Sequence, residues 1–168
     1  MNRASAADER VVETTVDGVA RPPWSRGIAA FCGHALREAG ASAWEISVLL
    51  CGDERMKALN SRYGGKNSTT DVLSFPRKDA RSSSSPHALA GGLVAGDIAI
   101  SIPAMRRNAK EFGNSEDEEL KRLLVHGILH LAGMDHGAGK GRAMLALQGR
   151  LLAALQTRRI IPGGSSGE

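Results

Sequence analysis

The stretch SEDEELKRLLVHGILHLAGMDH, residues 115–136, decides how this chain folds. Ser115 followed three residues later by Glu118 is a capping box, in which each side chain satisfies a backbone amide that the helix start would leave orphaned. Glu116 and Asp117 add negative charge to the first turn, where the helix dipole favours it. KRLLVHGILHLA then continues as a helix whose apolar positions recur at helical spacing, so one of its faces belongs in a core. Gly133 stands where a left-handed residue would turn the chain beyond the helix end.

Outward from this helix the sequence alternates strands and helices. On the N-terminal side, VVETTV (11–16) is β-branched and reads as a strand. After the Pro22-Pro23 break, Trp24, Ile28, Phe31, Ala35, Leu36 and Ala39 form a helical face that Gly40 ends. EISVLLC (45–51) is a largely buried strand, and Asp53 is the expected N-cap of a helix carrying Met56, Leu59 and Tyr63. Gly64-Gly65 stop that helix, and TTDVLSFP (69–76) is a strand ended by Pro76. RKDARSSSSPHALAGG (77–92) reads as a polar loop. GDIAIS (96–101) is the next strand, with Ser101 and Pro103 opening a helix to about Phe112. A last helix, from about Lys140 to Gln156, buries Met144, Leu147, Leu151 and Leu155. The implied fold is α+β, about four strands in one mixed sheet with helices packed on it, without regular βαβ repetition.

A length of 168 residues suits one well-filled core. We expect a single domain over residues 11–160, between flexible tails at 1–10 and 161–168. No apolar run approaches the length of a membrane span, and MNRASAADER has no hydrophobic segment of a secretory signal, so the expected location is the cytoplasm. Cys32 and Cys51 lack metal or redox spacing and read as reduced packing residues. The net charge is +4, but the distribution says more. Residues 55–81 hold seven Lys or Arg against two Asp, and 137–167 hold five basic residues and no acid. Such regions suit an anionic partner such as RNA, or a plainly solvated surface.

Three of the five histidines fall in eleven residues, HGILHLAGMDH. His126 and His130 are one helical turn apart on one face, and a turn at Gly133 would return His136 to the same ion. Three imidazoles leave a fourth tetrahedral position open, the pattern of a catalytic zinc, although nickel or cobalt also suits such ligands. His34 and His87 stand alone and read as solvent-facing or structural. The zinc proteases that use this histidine spacing place a glutamate base after the first histidine. Here that residue is Gly127, which costs about 1 kcal/mol against alanine in a helix interior. Something must therefore approach the backbone closely there, a substrate or a packed element. Asp135 is a candidate either to orient an imidazole or to cap the turn.

These residues carry a family resemblance. HGILHLAGMDH is similar to the H-G-x-L-H-L-x-G-x-D-H signature of the YbeY family, bacterial proteins described as zinc-dependent endoribonucleases that mature rRNA. LNSRYGGKNSTTDVLSFP (59–76) and GDIAIS (96–101) resemble its two other landmarks, in order and spacing. The resemblance covers roughly residues 45–150. It implies one zinc per chain held by His126, His130 and His136, single-stranded RNA as substrate, and a role in maturing the 3′ end of 16S rRNA and in small-subunit quality control.

The chain departs from the family pattern at Gly64, where an arginine follows the aromatic residue. Arg62, two residues earlier, is the nearest replacement, and with Asp135 it completes the short set of catalytic candidates. Zinc can act as a Lewis acid and lower the pKa of bound water toward about 7. Alternatively, the RNA 2′-hydroxyl attacks its own phosphate while a metal or arginine stabilises the charge. Lys66, Arg77, Lys78 and Arg81 either follow the RNA backbone or only solvate the surface. A second functional reading is a non-catalytic, zinc-stabilised ribosome-assembly factor that binds RNA, and a zinc peptidase is disfavoured because no acid follows His126.

Overall fold

The computed structural model describes residues 12–42, 44–77, 95–134 and 141–163. In chain order the elements are β1 (Val12–Asp17), α1 (Gly27–Glu38), β2 (Glu45–Cys51), α2 (Asp53–Tyr63), β3 (Val72–Pro76), β4 (Ala95–Ser101), α3 (Ile102–Phe112), α4 (Glu116–Leu131) and α5 (Gly141–Ala154). A 3₁₀ turn at Pro23–Arg26 leads into α1. The strands form one mixed sheet in the order β1-β2-β4-β3. β1 and β2 are parallel, as are β2 and β4, whereas β3 runs antiparallel to β4 at the sheet edge. The α+β architecture is thus the expected one, with one feature the sequence reading passed over: β1, α1 and β2 form a parallel crossover unit.

Alternation along the central strands sorts the two faces of the sheet. Ile46, Val48 and Leu50 of β2, with Ile98 and Ile100 of β4, point into the main core. There they meet Ile28, Phe31 and Leu36 of α1, Leu120, Leu124 and Ile128 of α4, and Met144 and Leu151 of α5. The opposite face carries a smaller cluster, in which Met56 of α2 packs on Cys51 and Ala99. Burial in these clusters pushes the Cys32 thiol up to about 12 and the Cys51 thiol up to about 11, so both are inert packing groups at neutral pH.

The capping box at α4 is present in full: Ser115 Oγ accepts from the Glu118 amide at 3.1 Å, and Glu118 accepts from the Ser115 amide at 2.8 Å. Ser101 caps α3 through the Ala104 amide, with Pro103 in the first turn as expected. Asp53 does not cap α2. Gly52 occupies the N-cap position without a side-chain bond. The Asp53 carboxylate is drawn instead across the fold, where it accepts from Arg107 at 2.7 and 3.0 Å and from Ser101 Oγ at 2.8 Å. A bidentate guanidinium is a stronger partner than a local amide.

Past α5, the chain is tied back to α4 by Asp117, whose Oδ1 accepts from the amides of Ile160 and Ile161 at 2.7 and 2.8 Å. The loop expected at 77–92 lies, apart from Arg77, outside the described residues, as do residues 1–11 and 164–168.

Candidate metal centre

α4 brings His126 and His130 to one face, as their spacing predicts. Their Nε2 atoms approach to 3.0 Å, with ring centroids 4.5 Å apart and planes at 74°. Two zinc-bound imidazole nitrogens, each about 2.0–2.1 Å from a tetrahedral ion, lie about 3.3 Å apart. The pair therefore fits a shared ion with little adjustment. His136 and Asp135, the other residues expected from this motif, lie outside the described residues, as do His87, Lys78 and Arg81.

Both histidines open into a cleft of about 430 Å³ between the end of α4 and the edge strand β3. Val72, Ser74 and Pro76 form the strand side, and Gly133 and Met134 form its end. Ser74 Oγ donates to the Gly127 carbonyl at 3.1 Å and so pins β3 to α4. At its C-terminus α4 finishes in a Schellman arrangement. The Gly133 amide bonds to His130 O, the Met134 amide bonds to Leu129 O, and Gly133 has φ +81°. Gly133 thus turns the chain as its place in the sequence predicts.

Gly127 now has a physical cause. A Cβ on it would stand 2.9 Å from Ile98 Cγ2 and 3.0 Å from Ile98 Cδ1, closer than packed carbons tolerate. The close approach is therefore made by β4, a packed element, on the side of the helix that faces the sheet. The protease glutamate has no room at this position.

One residue of the site escaped the sequence reading. Gln148, on α5 and only 8% exposed, sets Oε1 2.8 Å from His126 Nδ1. A carbonyl oxygen only accepts, so this contact favours the Nδ1–H tautomer, with Nε2 turned toward His130. Its signal was available: Gln148 is four residues after Met144 and three before Leu151, a polar side chain within an otherwise apolar helical stripe.

Arg62 sits elsewhere. Its guanidinium carbon lies 5.2 Å from the centroid of the Tyr63 ring, and it is not among the described residues lining the histidine cleft. His34, expected to be structural or solvent-facing, contacts Arg37 and Arg158, each at 2.6 Å.

Known proteins resemble this chain over most of its length. The family model described as Endoribonuclease YbeY matches residues 14–156. A protein named Endoribonuclease YbeY from Treponema pallidum is 38% identical over 154 residues, covering 91% of this chain and 93% of its own. The protein of that name from Treponema denticola is 40% identical over 131 residues, 77% of this chain and 83% of its own. Among solved structures, the solution structure of TM1509 from Thermotoga maritima superposes with a TM-score of 0.56 at 20% identity, covering 94% of this chain and 99% of that one. At that identity the likeness speaks for the fold alone.

Proposed function

The chain belongs to the Endoribonuclease YbeY family, and from that premise we propose that it is a zinc-dependent endoribonuclease of the cytoplasm. Its substrate in this reading is single-stranded RNA, cut during maturation of the 16S rRNA 3′ end and small-subunit quality control. One observation carries the proposal: two imidazole Nε2 atoms converge at 3.0 Å in an open cleft, one ring held through its far nitrogen by a buried amide. That is how a protein prepares histidines for a metal.

His126 and His130 are the described ligands of the proposed site, with His136 as the third. Zinc bound there supplies Lewis acidity toward a phosphate oxygen. The chain's own residues do the rest. Gln148 fixes the His126 tautomer, Ser74 holds the edge strand against α4, and Arg77, exposed and next in the chain to the lining residue Pro76, is a cation available to an RNA backbone. No described residue of the cleft is an aspartate or glutamate that would repel a polyanion.

A second reading, a non-catalytic RNA-binding assembly factor, is favoured by one observation: no arginine is among the described residues lining the cleft. The two are separated by zinc analysis of purified protein together with cleavage of a 3′-extended 16S rRNA fragment by wild type and His130→Ala. Zinc and cleavage lost together in the variant support the nuclease. Equal cleavage by both proteins would point to a contaminating nuclease and overturn it. Zinc with RNA binding but no cleavage by the wild type would establish the second reading.

A further inference from the structure

The sheet has a second concave surface that the histidine cleft does not use. α2 covers only the end of that face near Cys51 and Ala99, where Met56 is packed. Beyond the helix lies a groove of about 430 Å³. Its wall is aromatic: Tyr63 at the end of α2 meets Phe75 of β3 edge to face, with centroids 5.4 Å apart. Tyr63 is 60% exposed, and the Arg62 guanidinium lies against its ring. The groove also has a polar floor. Ser47 and Asp97 are opposed in the β2–β4 register, and the Ser47 hydroxyl donates to Asp97 Oδ1. Asp97 Oδ2 makes no hydrogen bond among the described residues.

This combination matches the chemistry of a nucleobase. A base offers an apolar face that stacks on an exposed aromatic ring, a polar edge that seeks fixed partners, and an attached phosphate that suits a nearby guanidinium. A carboxylate only accepts. It therefore favours guanine, whose edge presents two adjacent N–H donors, over uracil, whose single donor is flanked by carbonyl oxygens.

The groove and the histidine cleft flank the same edge strand, β3. Leu73 lines that cleft and packs in the apolar cluster of the second face, while Phe75, two residues along the same edge strand, walls the groove. An RNA strand passing over β3 would reach both. We propose that this groove binds one unpaired base, guanine in preference to uracil, of the RNA strand whose backbone reaches the histidines; the proposal rests on the endoribonuclease reading.

The test uses the full chain as purified with 2′-O-methyl oligomers, which resist cleavage, so that binding is read alone. Fluorescence anisotropy compares a labelled oligouridylate with the same oligomer carrying one central guanosine. The guanosine oligomer is expected to bind several-fold tighter. Tyr63→Ala is expected to weaken that binding by about 5- to 150-fold, the usual range for one lost base stack. Asp97→Asn is expected to remove the preference for guanosine, and Phe112→Ala, which alters an exposed aromatic that does not line the groove, to change nothing.

Tyr63 is the chain's sole tyrosine, so a ring-¹³C label gives one resonance, which stacking moves upfield. RNA binding at unchanged affinity by Tyr63→Ala, with that resonance unmoved in the wild type, would overturn the groove and leave the nuclease reading standing. Failure of every protein to bind either oligomer would overturn both.

Discussion

Gln148 Oε1 stands 2.8 Å from His126 Nδ1, joining α5 to the histidine-bearing face of α4. The relationship makes a prediction about metal rather than fold. Gln148→Leu is expected to weaken zinc binding about 10- to 100-fold, the usual cost of removing an outer-shell partner of a ligating histidine. Gln148→Glu keeps an acceptor and is expected to retain most of the affinity. Chelator competition measures the affinities, and ¹⁵N shifts of metal-free protein report the tautomer. A His126 ring protonated at Nε2 in the wild type would sink the argument.

Gly127→Ala places a methyl group against Ile98, from which Cγ2 is 2.9 Å away. The substitution gains about 1 kcal/mol of helix propensity, yet overpacking a filled core costs typically about 1–3 kcal/mol. A net loss of about 1 kcal/mol is expected in urea unfolding. Adding Ile98→Val, which deletes the Cδ1 contact, should recover part of it. Stabilisation by Gly127→Ala alone would show that the helix and strand have slack.

Gly64 is held by a different neighbour. A Cβ there would meet the Asn60 side-chain oxygen and stand 2.9 Å from the Asn60 carbonyl, which accepts the Gly64 and Lys66 amides. Asn60 is buried, and its Nδ2 donates to Ser68 O at 2.8 Å. Restoring the family arginine therefore disturbs the loop that leads to β3. Gly64→Arg and Gly64→Ala are both expected to lower the thermal midpoint, and the arginine is expected to bring no gain in RNA cleavage. Higher activity from Gly64→Arg alone would show that the missing guanidinium matters more than the steric conflict.

Asp53 predicts an acid dependence. Its bonds to Arg107, and secondarily to Ser101, hold its carboxyl below the ordinary value of 3.8. The carboxylate is thus favoured in the folded state. Its contribution is fully present above the unfolded value and is lost as pH falls through the depressed folded one. Asp53→Asn is expected to flatten the acid limb of urea midpoints measured from neutral pH downward, with little added effect from Arg107→Ala. Independent, additive losses would contradict the pairing.

Much of this was legible along the chain because the relevant signals are local. The capping box at Ser115, the caps at Ser101 and Gly133, and the one-turn spacing of His126 and His130 each depend on residues within a few positions. The N-cap assigned to Asp53 failed for the complementary reason. Its preferred partner, Arg107, is separated from it by 54 positions, and no local rule weighs an amide in the same turn against a guanidinium brought from another helix. Gln148 was visible only as a polar interruption in an apolar stripe, without a sign of what it faced.

The sequence by itself determined the α+β class, the order of the elements, the histidine pair on one helical face and the family, because periodicity, capping and motif spacing are properties of neighbouring residues. Only the tertiary structure decided what crowds Gly127, which ring nitrogen of His126 meets Gln148, and where Arg62 goes. Those answers depend on strand order and helix docking, which bring Ile98 against α4, Gln148 against His126, and Tyr63 beside Phe75 on the open face of the sheet. Contacts between residues far apart in the chain are set by how whole faces bury against one another, and local pattern does not specify that packing.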